Sequence, residues 1–329
     1  MPPHNGHRYL IEFARRFAHR VTVLVCTLSH EPIPGALRYQ WMRELFPDLN
    51  VIHVTDEIPE AGRSNPRAYE IWAAFIKQRL RLSLQYVFAS ESYGTALAAE
   101  LGARFIPVDP ARSNFPISAS AIREDPAAHW RYIPEPVRPY FQRRVCLVGG
   151  SAAERRELAV RLAAEFNTLA VPDMRRIRTE LLAAPGTGSR ISELRQSQRS
   201  AEAALARQAG PLLICAADAL VIALGASETA PDSGGTTTAE THSNDRAGRL
   251  GTPPSNPAGT GSLEAGEDRP ADLYIGLPAD AAQDEPEERA EARAAAELRA
   301  RGAHVVQLSE ATPAAAAGCV RRYLHSGAP

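Results

Sequence analysis

Residues 1–27 read MPPHNGHRYLIEFARRFAHRVTVLVCT, and their pattern decides the fold of the amino-terminal half. Tyr9, Leu10, Phe13, Ala14 and Phe17 recur at helical spacing, and the run over 21–27 is apolar and rich in β-branched residues. This is a helix delivering the chain into a buried strand. Outward from it the alternation persists, with helices over 37–46, 67–82 and 95–101 and strands over 51–55, 85–89 and 104–108. Short buried strands separated by helices require right-handed crossovers and a parallel sheet covered on both faces. The expected fold class is therefore α/β, with a Rossmann-like parallel sheet.

A second pattern starts at Arg144. The run over 145–148 meets Gly149-Gly150 and then an amphipathic helix reaching about Phe166, the strand–glycine–helix mark of a new α/β unit. Strands are expected over 212–216, 273–275 and 304–308, and helices over 286–301 and 312–324. Between them, residues 227–270 are rich in Gly, Ser, Thr, Pro, Asp and Glu and poor in aromatic and branched apolar residues, so they are expected to form a disordered insertion. The expected domains are 1–142 and 143–329, which suits a chain of 329 residues.

Composition narrows the function classes. The formal charge of -1 leaves no global basic field, so neither nucleic acid nor an anionic membrane is an expected partner. No stretch approaches the roughly 18 apolar residues of a membrane span, and no basic segment leads into an apolar one at the start. The four cysteines, Cys26, Cys146, Cys215 and Cys319, lack C-x-x-C spacing and read as small buried residues of a reducing compartment. The expectation is a cytoplasmic protein; a homo-oligomer is compatible with the sequence.

Two short motifs carry chemistry. His4-Asn5-Gly6-His7 sits where a loop enters the first helix, and a glycine between two histidines permits close backbone approach to a polyphosphate. As hydrogen-bond donors, both imidazoles would stabilise charge developing on a leaving pyrophosphate; the alternative is a solvated loop pair. Farther on, Ile117-Ser118-Ala119-Ser120-Ala121-Ile122-Arg123 opens another helix. Its hydroxyls and amides can hold phosphate oxygens with Arg123 as a forked cation, or its serines can simply cap the helix.

Taken together, the order and spacing of these motifs resemble the nucleotidyltransferase superfamily built on an H-x-G-H loop and a late I-S-x-[ST]-x-[ILV]-R loop. The stretch over 112–140, RSNFPISASAIREDPAAHWRYIPEPVRPY, resembles the junction of bifunctional NadR-type proteins, in which a nicotinamide-nucleotide adenylyltransferase precedes a ribosylnicotinamide kinase. PPHNGHRYLIEFA, Leu37 to Trp41 with Leu45-Phe46-Pro47, and Asn65 to Trp72 are similar to other segments of that family, so the likeness covers most of residues 1 to about 150.

The resemblance implies adenylyl transfer from ATP to nicotinamide mononucleotide, giving NAD and pyrophosphate. His4, Gly6, His7, Ile117, Ser118, Ser120 and Arg123 would hold ATP, and His4, His7 and Arg123 would act on its phosphates. Mg²⁺ would arrive with the nucleotide. Trp72 and Arg38 would meet the mononucleotide, although Trp72, with Tyr69 and Phe75 at helical spacing, also reads as core. The family opens with a strand ending in G-x-F upstream of the H-x-G-H loop, so the likeness implies a start upstream of Met1 and, for the chain as given, a sheet short of its first strand.

The second half departs from its family pattern. A P-loop kinase needs G-x-x-x-x-G-K-[ST] after its first strand. Here the position reads Gly149-Gly150-Ser151-Ala152-Ala153-Glu154-Arg155-Arg156-Glu157-Leu158, and Lys77 is the only lysine of the chain. Arg155 or Arg156 would have to supply the missing charge, while Glu154 would repel phosphate. Asp218 resembles a Walker B carboxylate but also reads as a strand-end or cap residue. The expectation is a kinase-like fold without kinase activity. Two other readings stay open: a non-catalytic regulator that binds NAD or ATP, and an adenylyltransferase for another phosphorylated acceptor such as phosphopantetheine. Nothing separates nicotinamide from nicotinate mononucleotide, and no helix-turn-helix supports a DNA-binding repressor.

Overall fold

In the computed structural model the described residues are 1–28, 31–56, 58, 67–81, 83–181, 191–225, 269–278 and 286–326. The insertion expected over 227–270 and part of the segment from Asn65 to Trp72 thus lie largely outside them. The chain divides into two compact units, Met1–Arg138 and Pro139–Pro329.

Unit 1 alternates α1 (Asn5–Phe17), β1 (Thr22–Cys26), α2 (Gly35–Leu45), β2 (Asn50–Val54), α3 (Ala68–Leu80), β3 (Tyr86–Ala89), α4 (Tyr93–Leu101), β4 (Arg104–Pro107) and α5 (Ala119–Glu124). Every strand pairing is parallel, as the alternation requires. The strands form two ladders, β1–β2 and β3–β4, with no pairing between β1 and β3 among the described residues. Both ladders nevertheless use the same layers. Successive strand residues face opposite ways, so Val25 joins Ile11, Met42, Phe46 and Val51 on one face. Its neighbour Leu24, with Val87 of β3, packs on Ala73, Ile76 and Leu101 on the other. Phe88 returns to the first face, where its ring lies 6.3 Å from Phe13 and 5.5 Å from Phe17 of α1.

A short helix α6 (Arg138–Phe141) leads into unit 2, which holds β5 (Arg143–Val148), α7 (Ala152–Glu165), β6 (Ala170–Val171), α8 (Met174–Leu181), α9 (Ile191–Ala206), β7 (Leu212–Cys215), α10 (Ala219–Gly225), β8 (Leu273–Gly276), α11 (Pro286–Ala300), β9 (Val305–Gln307) and α12 (Pro313–His325). Its five strands form one parallel sheet in the order β6-β7-β5-β8-β9. Val145 and Leu147 face α7 and α12, while Cys146 and Val148 face α9 to α11. A strand buried on both faces needs an unbroken apolar run, which residues 145–148 supply. Each such side chain contributes about 1.5–3 kcal/mol by leaving water.

One expectation needs correction. Cys146, Cys215 and Cys319 are buried, but Cys26, the last residue of β1, is exposed. The helix over 286–301 buries one face, where Glu291 lies with Ala294, Ala295 and Leu298. Among the described residues, no helix is long and apolar enough to cross a membrane.

Candidate nucleotide site of unit 1

The first turn of α1 is tied by its own histidines. His4 is the N-cap, and its Nδ1 accepts the Gly6 amide at 3.1 Å, while the His4 amide donates to Nδ1 of His7 at 3.3 Å. This is a capping box with imidazoles in the usual hydroxyl and carboxyl places. Gly6 is needed for the tight wrap, since a Cβ there would come within 2.9 Å of the His4 ring. The rings lie 3.9 Å apart. Because both Nδ1 atoms accept, both rings carry their hydrogen on Nε2 and keep that N–H as a donor. Burial foremost, with the positive amino terminus and the Arg112 guanidinium, pushes His4 down to about 4. Burial, His4, the amino terminus and Arg112 push His7 down to about 3. Both are neutral donors at neutral pH.

The serine–arginine turn meets this helix start. Ser118 caps α5, its Oγ accepting the Ala121 amide at 3.1 Å. The Arg123 guanidinium reaches across 122 positions of sequence to the Met1 carbonyl at 2.6 Å, and it also donates to Ser120 Oγ at 3.2 Å. Phe115, just ahead of buried Ile117, stacks obliquely on Tyr9 of α1 with centroids 5.5 Å apart. Thus His4, Gly6, His7, Ser118, Ser120 and Arg123 share one region, although the two motifs are more than a hundred residues apart in sequence.

Arg38 and Trp72 stand differently. Arg38 is wholly buried; it pairs with both carboxylate oxygens of Glu31, at 3.0 Å for Oε1, and donates to the Cys26 carbonyl at 3.4 Å. Burial opposes ionisation of Glu31, but the Leu28 amide and Arg38 outweigh it and hold this carboxyl below its ordinary range. Trp72 is half-buried against the Ala73–Ile76–Leu101 cluster, edge-on to Phe75 at 6.3 Å.

Two participants escaped sequence reasoning. Arg112 bonds the Ile117 carbonyl at 3.4 Å and Glu91 at 3.0 Å, and its charge bears on both histidines. Glu31 neutralises Arg38 from seven residues away. An arginine in a loop and a glutamate before a helix carry no periodic signal that would single them out.

In unit 2 the strand–glycine–helix turn is closed by the protein's own side chains. Gly149 and Gly150 adopt φ of +80° and +57°, and a Cβ on Gly149 would lie 2.8 Å from the Leu277 carbonyl oxygen. Glu154 accepts from the Ser151 amide and hydroxyl, each at 2.8 Å. Arg155 points inward, donating to the carbonyls of Gly149 and Gly150 at 3.1 and 2.8 Å and to Asp173 at 3.3 Å. Of the two arginines that would have to supply the missing charge, Arg155 is thus turned to backbone carbonyls and Asp173. Asp218 is a cap, accepting the Val221 amide at 2.7 Å and the Tyr274 hydroxyl at 2.8 Å. A cavity of about 160 Å³ beside the turn, lined by Gly149, Gly150, Leu277, Ala292, Arg299 and Gln307, falls below the range of small-molecule pockets.

No protein-family model matches the chain. Curated proteins that match include two named trifunctional NAD biosynthesis/regulator protein NadR. That of Escherichia coli K12 is 29% identical over 185 residues, 51% of this chain and 45% of that protein. That of Salmonella typhimurium LT2 is 28% identical over 184 residues, with the same coverage. The chain thus spans about half the length of the curated relatives it matches. Among solved structures, a NadR protein in complex with NR superposes with a TM-score of 0.69 at 18% identity, covering 98% of this chain and 93% of that one. Another, in complex with NAD and AMP-PNP, gives 0.66 at 20% identity with the same coverage. At such identity these structures speak for the fold, two α/β units in series. The chain is thus similar to NadR proteins in sequence over about half its length, and to solved NadR structures in fold over nearly all of it.

Proposed function

We propose that unit 1 transfers the adenylyl group of ATP to nicotinamide mononucleotide, making NAD and pyrophosphate in the cytoplasm. One observation carries this reading: two neutral imidazoles, each with a free Nε2–H, occupy the same corner as the Ser120–Arg123 pair. The 5′-phosphate of the mononucleotide attacks the α-phosphorus of ATP, and the bond to the bridging oxygen breaks as pyrophosphate leaves. No proton need be removed from the attacking phosphate oxygen at neutral pH, so neutral donors serve better than a general base. His4 and His7 would stabilise charge moving onto the pyrophosphate, with Arg123 and Ser120 gripping the triphosphate and Ile117 and Ser118 shaping the turn. Mg²⁺ would enter as the ATP complex; among the described residues no group of three or more His, Cys, Asp or Glu is disposed to hold a metal. The relatives named for NAD biosynthesis and the solved NadR protein bound to NAD and AMP-PNP support this choice of ligands.

In this reading unit 2 is a kinase-like domain without kinase activity. Its turn offers no lysine, and its buried arginine is spent on carbonyl oxygens. A second reading follows from the same fact: unit 2 relays nucleotide occupancy as a regulator. The test is to incubate the full-length protein with ATP, Mg²⁺ and nicotinamide mononucleotide and assay NAD and pyrophosphate together. Equal release of both supports transfer. Nucleotide binding by calorimetry without product would overturn it in favour of the regulator, and product only with another phosphorylated acceptor would reassign the substrate.

A further inference from the structure

Anion-binding turns between a strand and a helix use backbone N–H groups, and in unit 2 two of them, the Gly149 and Ser151 amides, are satisfied by the protein's own carboxylates. The Gly149 amide donates to Glu291 Oε2 at 3.3 Å, although the two residues are 142 positions apart. The other oxygen of Glu291 accepts from Arg175 at 2.6 Å and lies 3.6 Å from the Arg155 guanidinium. Glu291 is 1% exposed and Arg155 wholly buried. A negative group facing a glycine amide and two guanidinium groups, out of water, is the environment that a phosphate would demand of such a turn. Asp173 completes the charge balance: it binds Arg175 at 2.6 Å and Arg155 at 3.3 Å, and these partners outweigh burial to hold its carboxyl below its ordinary range.

We infer that Glu291 is a tethered anion: a side chain of α11 that occupies the phosphate position of the unit 2 turn and holds Gly149-Gly150 in their left-handed conformation without any nucleotide. The inference rests on the reading that unit 2 is no kinase, and it adds what replaced the nucleotide. A carboxylate brings one charge where a triphosphate brings several. The turn matches it: one cation faces its own carbonyl groups, the Glu154 carboxylate covers the Ser151 amide, and two arginines are shared between two acids. Burying a charge so deeply is costly unless every partner is present, so the cluster locks α8, α11 and the turn together and makes unit 2 rigid in the unliganded state.

Hydrogen exchange of peptides covering residues 145–157 in the full-length protein tests this locally, independent of ligands bound by unit 1. In the unaltered protein, protection there should not change with 20 mM inorganic phosphate, on the order of what a weak anion site would need. In Glu291→Ala the same peptides should exchange about tenfold faster or more, and phosphate should restore protection with a saturable dependence. Failure of phosphate to restore it, with the rest of unit 2 still protected, would overturn the tethered-anion assignment. Should the alanine variant not fold, Glu291→Gln keeps the volume and removes only the charge. Faster exchange in that variant is expected, and unchanged exchange would overturn the proposal. The premise fails separately: if ATP with Mg²⁺ protects residues 145–157 of the unaltered protein, unit 2 does bind nucleotide and the non-kinase reading is wrong.

Discussion

The Nδ1 atom of His7 accepts the backbone amide of His4 at 3.3 Å, so the residue that ends the first helical turn also fixes the residue that caps it. Capping and the proposed phosphate contact would draw on opposite sides of the same rings, and substitutions can separate the two roles.

Asn is as good an N-cap as a helix accepts, yet it lacks the far N–H of an imidazole. His4→Asn should therefore leave the midpoint of urea unfolding within about 0.5 kcal/mol of the original while NAD formation falls by about 10²–10³-fold, the usual cost of one lost oxyanion donor. Turnover and unfolding measured on the same sample decide this. Equal, small losses in both would mean that His4 serves only as a cap.

Stability should depend on pH through these rings. A histidine held neutral by burial binds fewer protons when folded than when unfolded at any pH between its folded value and its ordinary 6.5. With His4 at about 4 and His7 at about 3, the stability that depends on neutral rings is complete above 6.5 and is lost progressively as the pH falls toward 4 and then 3. Denaturant unfolding at pH 7.5, 6 and 5, pH values on the order of this window, should show a steady decline. His7→Ala should flatten it, and an unchanged slope would count against the neutral pair.

Arg38 is engaged by Glu31, so its removal should act first on stability. Arg38→Ala leaves Glu31 unpaired and should cost about 2–4 kcal/mol, discounted from the fully buried case because Glu31 keeps 28% of its side-chain surface. Arg38→Met combined with Glu31→Gln should recover much of the loss. If the double variant is stable and its KM for nicotinamide mononucleotide is unaltered, the residue has no part in substrate binding.

Trp72 sits on an apolar cluster with Phe75 and Ile76. Trp72→Ala should lower stability by about 2–3 kcal/mol, and Trp72→Phe should restore most of it with KM for the mononucleotide unchanged. A KM raised about tenfold or more in the phenylalanine variant, worth about 1.4 kcal/mol, would instead assign the indole to ring stacking.

How far the sequence alone reached can be judged element by element. Periods of 3.6 and 2 are properties of local burial, so the helix over residues 5–17 and the strands at 22–26, 50–54, 86–89 and 145–148 were legible from apolar spacing. Elements with weaker apolar contrast, such as β6 with two residues and the arginine-rich α8, were not. The two loops of unit 1 were legible because their residue types and order are unusual together.

The sequence by itself determined the α/β class, the pair of units and the residue types of the two unit 1 loops, since these depend on patterns that neighbours in the chain carry. Only the tertiary structure decided which charges meet. Arg123 finds the Met1 carbonyl, Arg38 is neutralised by Glu31, and Glu291 enters the glycine turn of unit 2 from a distant helix. Hydrogen bonds and ion pairs depend on distances of about 3 Å, and separation along the chain says nothing of such distances until folding has brought the helices and strands together.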